Sequence, residues 1–165
     1  METTESVAVF ALQEQMRLHT RQFNNALAGI NLGDEKKRIN DNTNHITWLA
    51  GTLVSVRYYL AEIVGINVND PYAHLFRHGK ALNASYDYPA LDVLKKDWEP
   101  VSEQLLSKLS QLTFEELKQM MPQDSPMKQR TVFDALIFLV DRESYIIGQI
   151  AFIRRIFGYE AMKYN

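Results

Sequence analysis

Apolar residues along this chain recur at helical spacing, and no run alternates as a strand would, so the predicted fold class is all-α. Four periodic stretches are long. The connections within the first pair and within the last pair read as brief, whereas the one between them, Ile66 to Pro89, is long and rich in turn residues. That spacing predicts a four-helix bundle with a long crossover between helices 2 and 3, because helices joined by so long a segment can run parallel. The 165 residues, 1–165, read as a single helical-bundle domain, large enough to bury a self-sufficient core.

The first helix runs from a cap at Thr3 or Thr4 to about Ile30, with Leu12, Met16, His19, Phe23, Leu27 and Ile30 on one face. The second begins near Asn42 or Thr43 and ends at Gly65; its expected inward face is His45, Trp48, Leu49, Thr52, Val56, Tyr59 and Ile63, with Arg57 on the opposite side. The crossover has room for a turn or two of helix. The third helix spans about Ala90 to Leu109, with Leu91, Leu94, Trp98, Val101, Leu105 and Leu109 inward and a kink expected at Pro100. Thr113-Phe114-Glu115-Glu116 has the form of a capping box, which predicts a short helix through Met120. Pro122 to Pro126 reads as the loop into the last helix.

The last helix, Thr131 to Gly158, is the most informative stretch. At 1.5 Å per residue it is about 42 Å long. Asp134 in its first turn and Arg154 and Arg155 in its last suit the helix dipole, and Gly158 stands where a positive φ is wanted. One wide apolar stripe holds Val132, Leu136, Leu139, Val140, Ile146, Ile147, Ile150, Ile153 and Phe157. A second, Phe138, Tyr145, Phe152 and Ile156, follows a seven-residue spacing. It meets either a neighbouring helix or another subunit, and the expectation for the assembly is a homodimer through Phe138, Tyr145 and Phe152.

Composition excludes several function classes. There are 18 basic and 20 acidic residues and no basic run, so neither nucleic acid nor an anionic membrane has an electrostatic handle. No apolar stretch reaches the ~18 residues of a spanning helix, and the N-terminus lacks the basic region of a secretory signal. Cysteine is absent, which removes disulfides, thiolate ligands and a cysteine nucleophile and fits a cytoplasmic protein. No Gly-x-Ser-x-Gly elbow or phosphate-cradling glycine loop occurs.

Three local patterns carry a resemblance. They are NTNHITWLAGTLVSVRYYLAEIVG (Asn42 to Gly65), YPALDVL (Tyr88 to Leu94) and RESYIIGQIAFIRRIFGYEAM (Arg142 to Met162). Together they resemble the DinB-like family of bacterial four-helix bundles over nearly the whole chain. The resemblance implies a divalent metal held by three histidines, one on the second helix and two a turn apart on the last. It also implies hydrolase or thiol-transferase chemistry through a metal-bound water. Here the three positions are Thr52, Arg142 and Ile146. Isoleucine cannot ligate, arginine stays charged and repels a cation, and threonine is a weak donor. The expectation is therefore a chain with no metal cofactor that acts as a small-molecule-binding or interaction module. The alternative is a hydrolase or thiol transferase with zinc, nickel or iron at a relocated site.

The candidate pocket residues are His19, His45, Tyr59, Arg142 and Glu143. His19, Thr52, Tyr59 and Arg142 either line one polar cavity or satisfy one another in a dry core. His45 is a hydrogen-bonded histidine at the core or bundle end, or part of a displaced metal site. Arg142 is paired with a carboxylate, reaches solvent along its stem, or meets an acidic small molecule. Glu143 is a general base or half of a structural ion pair. His74 and His78 have ligand spacing only if their segment is helical.

Overall fold

The computed structural model describes residues 4–122 and 131–164, and these are all-α: six helices, no strand, and one isolated β-bridge between Met120 and Thr131. The helices are α1 (Thr4–Leu27), α2 (Ile46–Ile63), α3 (Ala73–Phe76), α4 (Leu91–Leu109), α5 (Phe114–Lys118) and α6 (Val132–Ile156). Among the described residues, no helix is long and apolar enough to cross a membrane. The expected loop at Pro122 to Pro126 lies, beyond Pro122, outside the described residues.

Local chemistry sets most of the ends. Thr131 and Asp134 form a reciprocal capping box at the start of α6, as do Thr113 and Glu116 at α5. Gly65 and Gly158 adopt φ of 84° just past α2 and α6, a conformation open to residues without a Cβ. Pro100 is exposed, and α4 continues through it to Leu109. Three boundaries differ from expectation: α1 stops at Leu27, α5 at Lys118, and α2 starts only at Ile46. The link 28–45 is therefore longer than predicted. It is pinned by Arg38, which donates to the carbonyl of Thr43, and by Thr47 Oγ1, which donates to the Glu35 carbonyl at 3.2 Å.

α1 packs on α4 and α6, and α2 packs on the same two helices. Between them lie two apolar clusters. One gathers Phe23, Leu27, Leu49, Leu53, Leu94, Trp98, Ile146 and Ile150; the other gathers Met16, Leu60, Leu105, Leu109, Leu136, Leu139 and Val140. On three helices the sequence step from one cluster to the other crosses a buried polar residue: His19 on α1, Arg57 on α2 and Glu143 on α6. The second stripe of α6 is left open. Phe138, Tyr145, Phe152 and Ile156 are 42–70% exposed, so no described helix of this chain covers them.

Candidate functional site

The largest correction to the sequence reading concerns Arg57, expected on the outer side of α2 and found fully buried. Its guanidinium is bidentate to Glu143, Nε to Oε1 at 2.5 Å and Nη2 to Oε2 at 2.8 Å. Nη2 also donates to the Met16 carbonyl and Nη1 to Thr20 Oγ1, while the guanidinium lies 4.3 Å from the Trp98 ring centroid. Trp98 in turn donates its indole N–H to the Thr20 carbonyl. Side chains from α1, α2, α4 and α6 thus meet at one ion pair. Burial alone would push the Glu143 carboxyl up, but Arg57 and the His19 hydrogen bond outweigh it and hold it below the usual carboxylate range.

Glu143 is therefore half of an ion pair, and His19 belongs to it. The His19 ring lies with Nδ1 3.0 Å from Glu143 Oε2 and Nε2 2.8 Å from the hydroxyl of Ser144. Of the two readings for His19, Thr52, Tyr59 and Arg142, one polar cavity or a dry core in which they satisfy one another, neither holds for all four. His19 faces the α1–α6 seam, and the other three line a different space.

That space, about 340 Å³, lies between α2, α6 and the segment around α3. Its walls include Trp48, Thr52, Val56, Tyr59, Phe76 and Leu139, with Ser55, Arg77, His78, Lys80 and Arg142 supplying polar groups. No carboxylate is among the lining residues. Phe76 seats against α2 because residue 51 is glycine: a Cβ there would stand 2.1 Å from the ring. Past α3 the chain turns through His78 (φ 60°) and Gly79 (φ 68°), which brings Lys80 back to donate to the His74 carbonyl at 2.6 Å. Histidine in the left-handed region is uncommon, and such conformations concentrate at functional segments. His74 and His78 do not share a helix, since α3 ends at Phe76.

The cations in this wall are not equivalent. Arg77 donates bidentately to Glu62 and through Nε to Asp70, and it lies over the Tyr59 ring at 5.2 Å. Asp70 also accepts from Ser55 Oγ and the Tyr72 backbone N–H. Arg77 is thus neutralised by two acids. Arg142 is exposed and has no hydrogen-bond or ion-pair partner among the described residues. The Trp48 indole N–H is buried and likewise lacks a hydrogen-bond partner there.

Thr52 and Arg142, two of the three positions at which the resemblance led us to expect metal ligands, share the cavity; Ile146 is buried in the core and does not line it. Thr52 donates to the Trp48 carbonyl one turn back. These residue types do not suit a cation, and no group of three or more His, Cys, Asp or Glu side chains among the described residues is placed to hold one.

His45 is the hydrogen-bonded histidine expected at the core or bundle end, though it stands at the N-cap of α2 rather than on its inward face, and its Nδ1 accepts from the Trp48 backbone N–H at 3.0 Å. Burial, and then the charges of Lys36 and Arg38, push its imidazole down to about 4. It is therefore neutral at pH 7, as an accepting cap must be. Arg154, placed by the sequence at the end of α6, donates to the carbonyls of Asn25, Ala26 and Ala28 and so closes the C-terminus of α1.

Sequence reasoning missed Arg57, yet a signal existed. Ile46, Ala50, Leu53, Leu60 and Val64 form a helical stripe that runs through position 57, and Glu143 stood on the facing arc of α6. The cationic run Arg77-His78-Gly79-Lys80 could have marked the cavity. Nothing in the pattern marked Ser144. No protein-family model matches the chain, and no curated protein matches it either.

Proposed function

We propose that this protein is a metal-free small-molecule-binding module that takes an anionic ligand with an apolar body into the cavity between α2, α3 and α6. One observation carries the reading: the Arg142 guanidinium stands at a wall of aromatic and aliphatic side chains that contributes no carboxylate. A guanidinium with unused donors next to apolar surface suits a carboxylate or phosphate attached to a ring or short chain. The volume, at the lower end for ligand sites, favours a small molecule over a peptide.

The same reading treats α1, α2, α4 and α6 as an up-down bundle with a long crossover, of the DinB-like kind, in a cytoplasmic protein. Its support is the order of helices, the three local patterns, and a cavity that contains two of the positions where that family carries metal ligands. We also assign the open stripe of Phe138, Tyr145 and Phe152 to a homodimer interface. A monomer by sedimentation at micromolar concentration would remove that assignment.

Calorimetric titration with benzoate, phenyl phosphate and uncharged benzyl alcohol tests the binding site. The acids should bind wild type at least tenfold more tightly than the alcohol, and Arg142→Ala should erase that difference. Equal behaviour of the two proteins would refute the site. Metal analysis of protein purified without chelator tests the other half: stoichiometric zinc, nickel or iron would instead support a relocated metal centre and hydrolase or transferase chemistry.

A further inference from the structure

The α1–α6 seam, away from the cavity, carries an arrangement that the binding role does not use. Ser144 Oγ, His19 Nε2, His19 Nδ1 and Glu143 Oε2 lie in series, with hydrogen-bond distances of 2.8 and 3.0 Å. Proton positions follow from the partners. Glu143 is ionised against Arg57 and can only accept, so His19 Nδ1 carries the proton that faces it. The other nitrogen of a neutral ring then offers its lone pair, and Ser144 donates to it. His19 is 2% exposed and Glu143 is fully buried, so the ring is held in one tautomer and one orientation. Ser144 itself is exposed. One turn further along the same face stands Gly148, where an added Cβ would meet nothing within 4 Å. Open space therefore lies beside the hydroxyl.

We propose that Ser144 is an activated nucleophile, with His19 as its general base and Glu143 as the positioning carboxylate, and that it accepts acyl groups from small activated esters. Ser144 Oγ bonds to the acyl carbon as its proton passes to His19 Nε2. The ester C–O bond breaks, and the leaving alkoxide takes that proton. Water then attacks the acyl-serine, gives a proton to His19 and releases the carboxylic acid as the proton returns to Ser144 Oγ. The sum is ester plus water to acid plus alcohol. Ser144 lies inside α6, where backbone N–H groups are engaged in the helix ladder, so no oxyanion donor adds to the effect. The acceleration is that of general-base assistance alone, roughly 10²–10⁴-fold.

An alkyl fluorophosphonate probe tests this, because the same attack forms a stable Oγ–P bond and expels fluoride. The full chain is labelled, digested with trypsin and mapped by fragmentation. The peptide Glu143–Arg154 contains Ser144 as its single serine. Ser85 and Ser110 are internal controls: both are exposed, and their hydroxyls donate to Asn83 and to the Ser107 carbonyl rather than to a histidine. We expect Ser144 to label at least tenfold faster than either, and Ser144→Ala to remove that label. His19→Gln should lower the Ser144 rate to that of the controls; if that variant does not fold, the comparison within wild type decides. Labelling of Ser144 no faster than Ser85 and Ser110, or label on Tyr145 in its place, would overturn the proposal.

Discussion

Two arginines within one molecule have opposite fates. Arg57 is fully buried and surrounded by Glu143, Thr20, the Met16 carbonyl and the Trp98 ring; Arg142, one residue before Glu143, is exposed at a cavity with no partner among the described residues. The first guanidinium is held by the fold and is unavailable to a ligand. The second stands exposed at the cavity with its donors unused among the described residues. Charge in a helical protein therefore says nothing about function until its partners are known, since only an unneutralised cation has interaction energy left to give a ligand.

The sharpest way to break this contrast is Arg57→Met. It leaves the Glu143 carboxylate buried with His19 as its remaining partner and no compensating guanidinium, and should cost about 3–5 kcal/mol in denaturant unfolding. Adding Glu143→Leu should recover most of that, because an apolar pair of similar volume avoids the desolvation of both charges. If the double variant is no more stable than the single one, the ion pair is not what makes Arg57 necessary.

Gly51→Ala acts on the cavity side. The added methyl would overlap the Phe76 ring, which must move, and we expect a loss of about 1–3 kcal/mol with weaker binding of benzoate. Unchanged stability would mean that α3 is not braced on α2 through this contact.

His45 gives a pH-dependent comparison. Its folded pKa, about 4, lies below the unfolded value of 6.5, so its contribution is complete above pH 6.5 and is lost as pH falls towards 4. His45→Asn keeps an accepting cap that does not titrate. Its stability relative to wild type should rise as pH drops through that window, as read from melts at pH 7, 5.5 and 4.5. A constant difference would show that the imidazole does not titrate on unfolding.

Arg142→Ala should change stability least, by no more than about 0.5 kcal/mol, while removing the preference for acids over benzyl alcohol. A larger loss would reveal a partner for Arg142 and return it to the same class as Arg57.

Legibility of the sequence followed the range of the interactions involved. The capping box at Thr113, the turn at Gly158 and the inward faces of α4 and α6 were readable, because each depends on residues three or four apart or on a strong apolar stripe. The start of α2 was misread because Asn42 and Thr43 are better caps by type, whereas His45 is the residue whose ring reaches the Trp48 N–H. The rotation of α2 was misread for a related reason. Its residues are apolar on nearly every side, so Trp48, Val56 and Tyr59 offered as plausible an inward face as Ala50, Leu53 and Leu60.

By itself the sequence determined the all-α class, the capping box of α5, the turn at Gly158 and the apolar faces of α4 and α6, and it put at position 146 an isoleucine, which no neighbour can make a metal ligand. Tertiary structure alone decided that Arg57 turns in and Arg142 out, that His19 joins Glu143 and Ser144, and that Thr52 faces a cavity. Those outcomes depend on side chains brought together from residues up to 125 positions apart. A buried cation is stable only where the fold delivers its carboxylate, and no local pattern on α2 records what α6 will present to it.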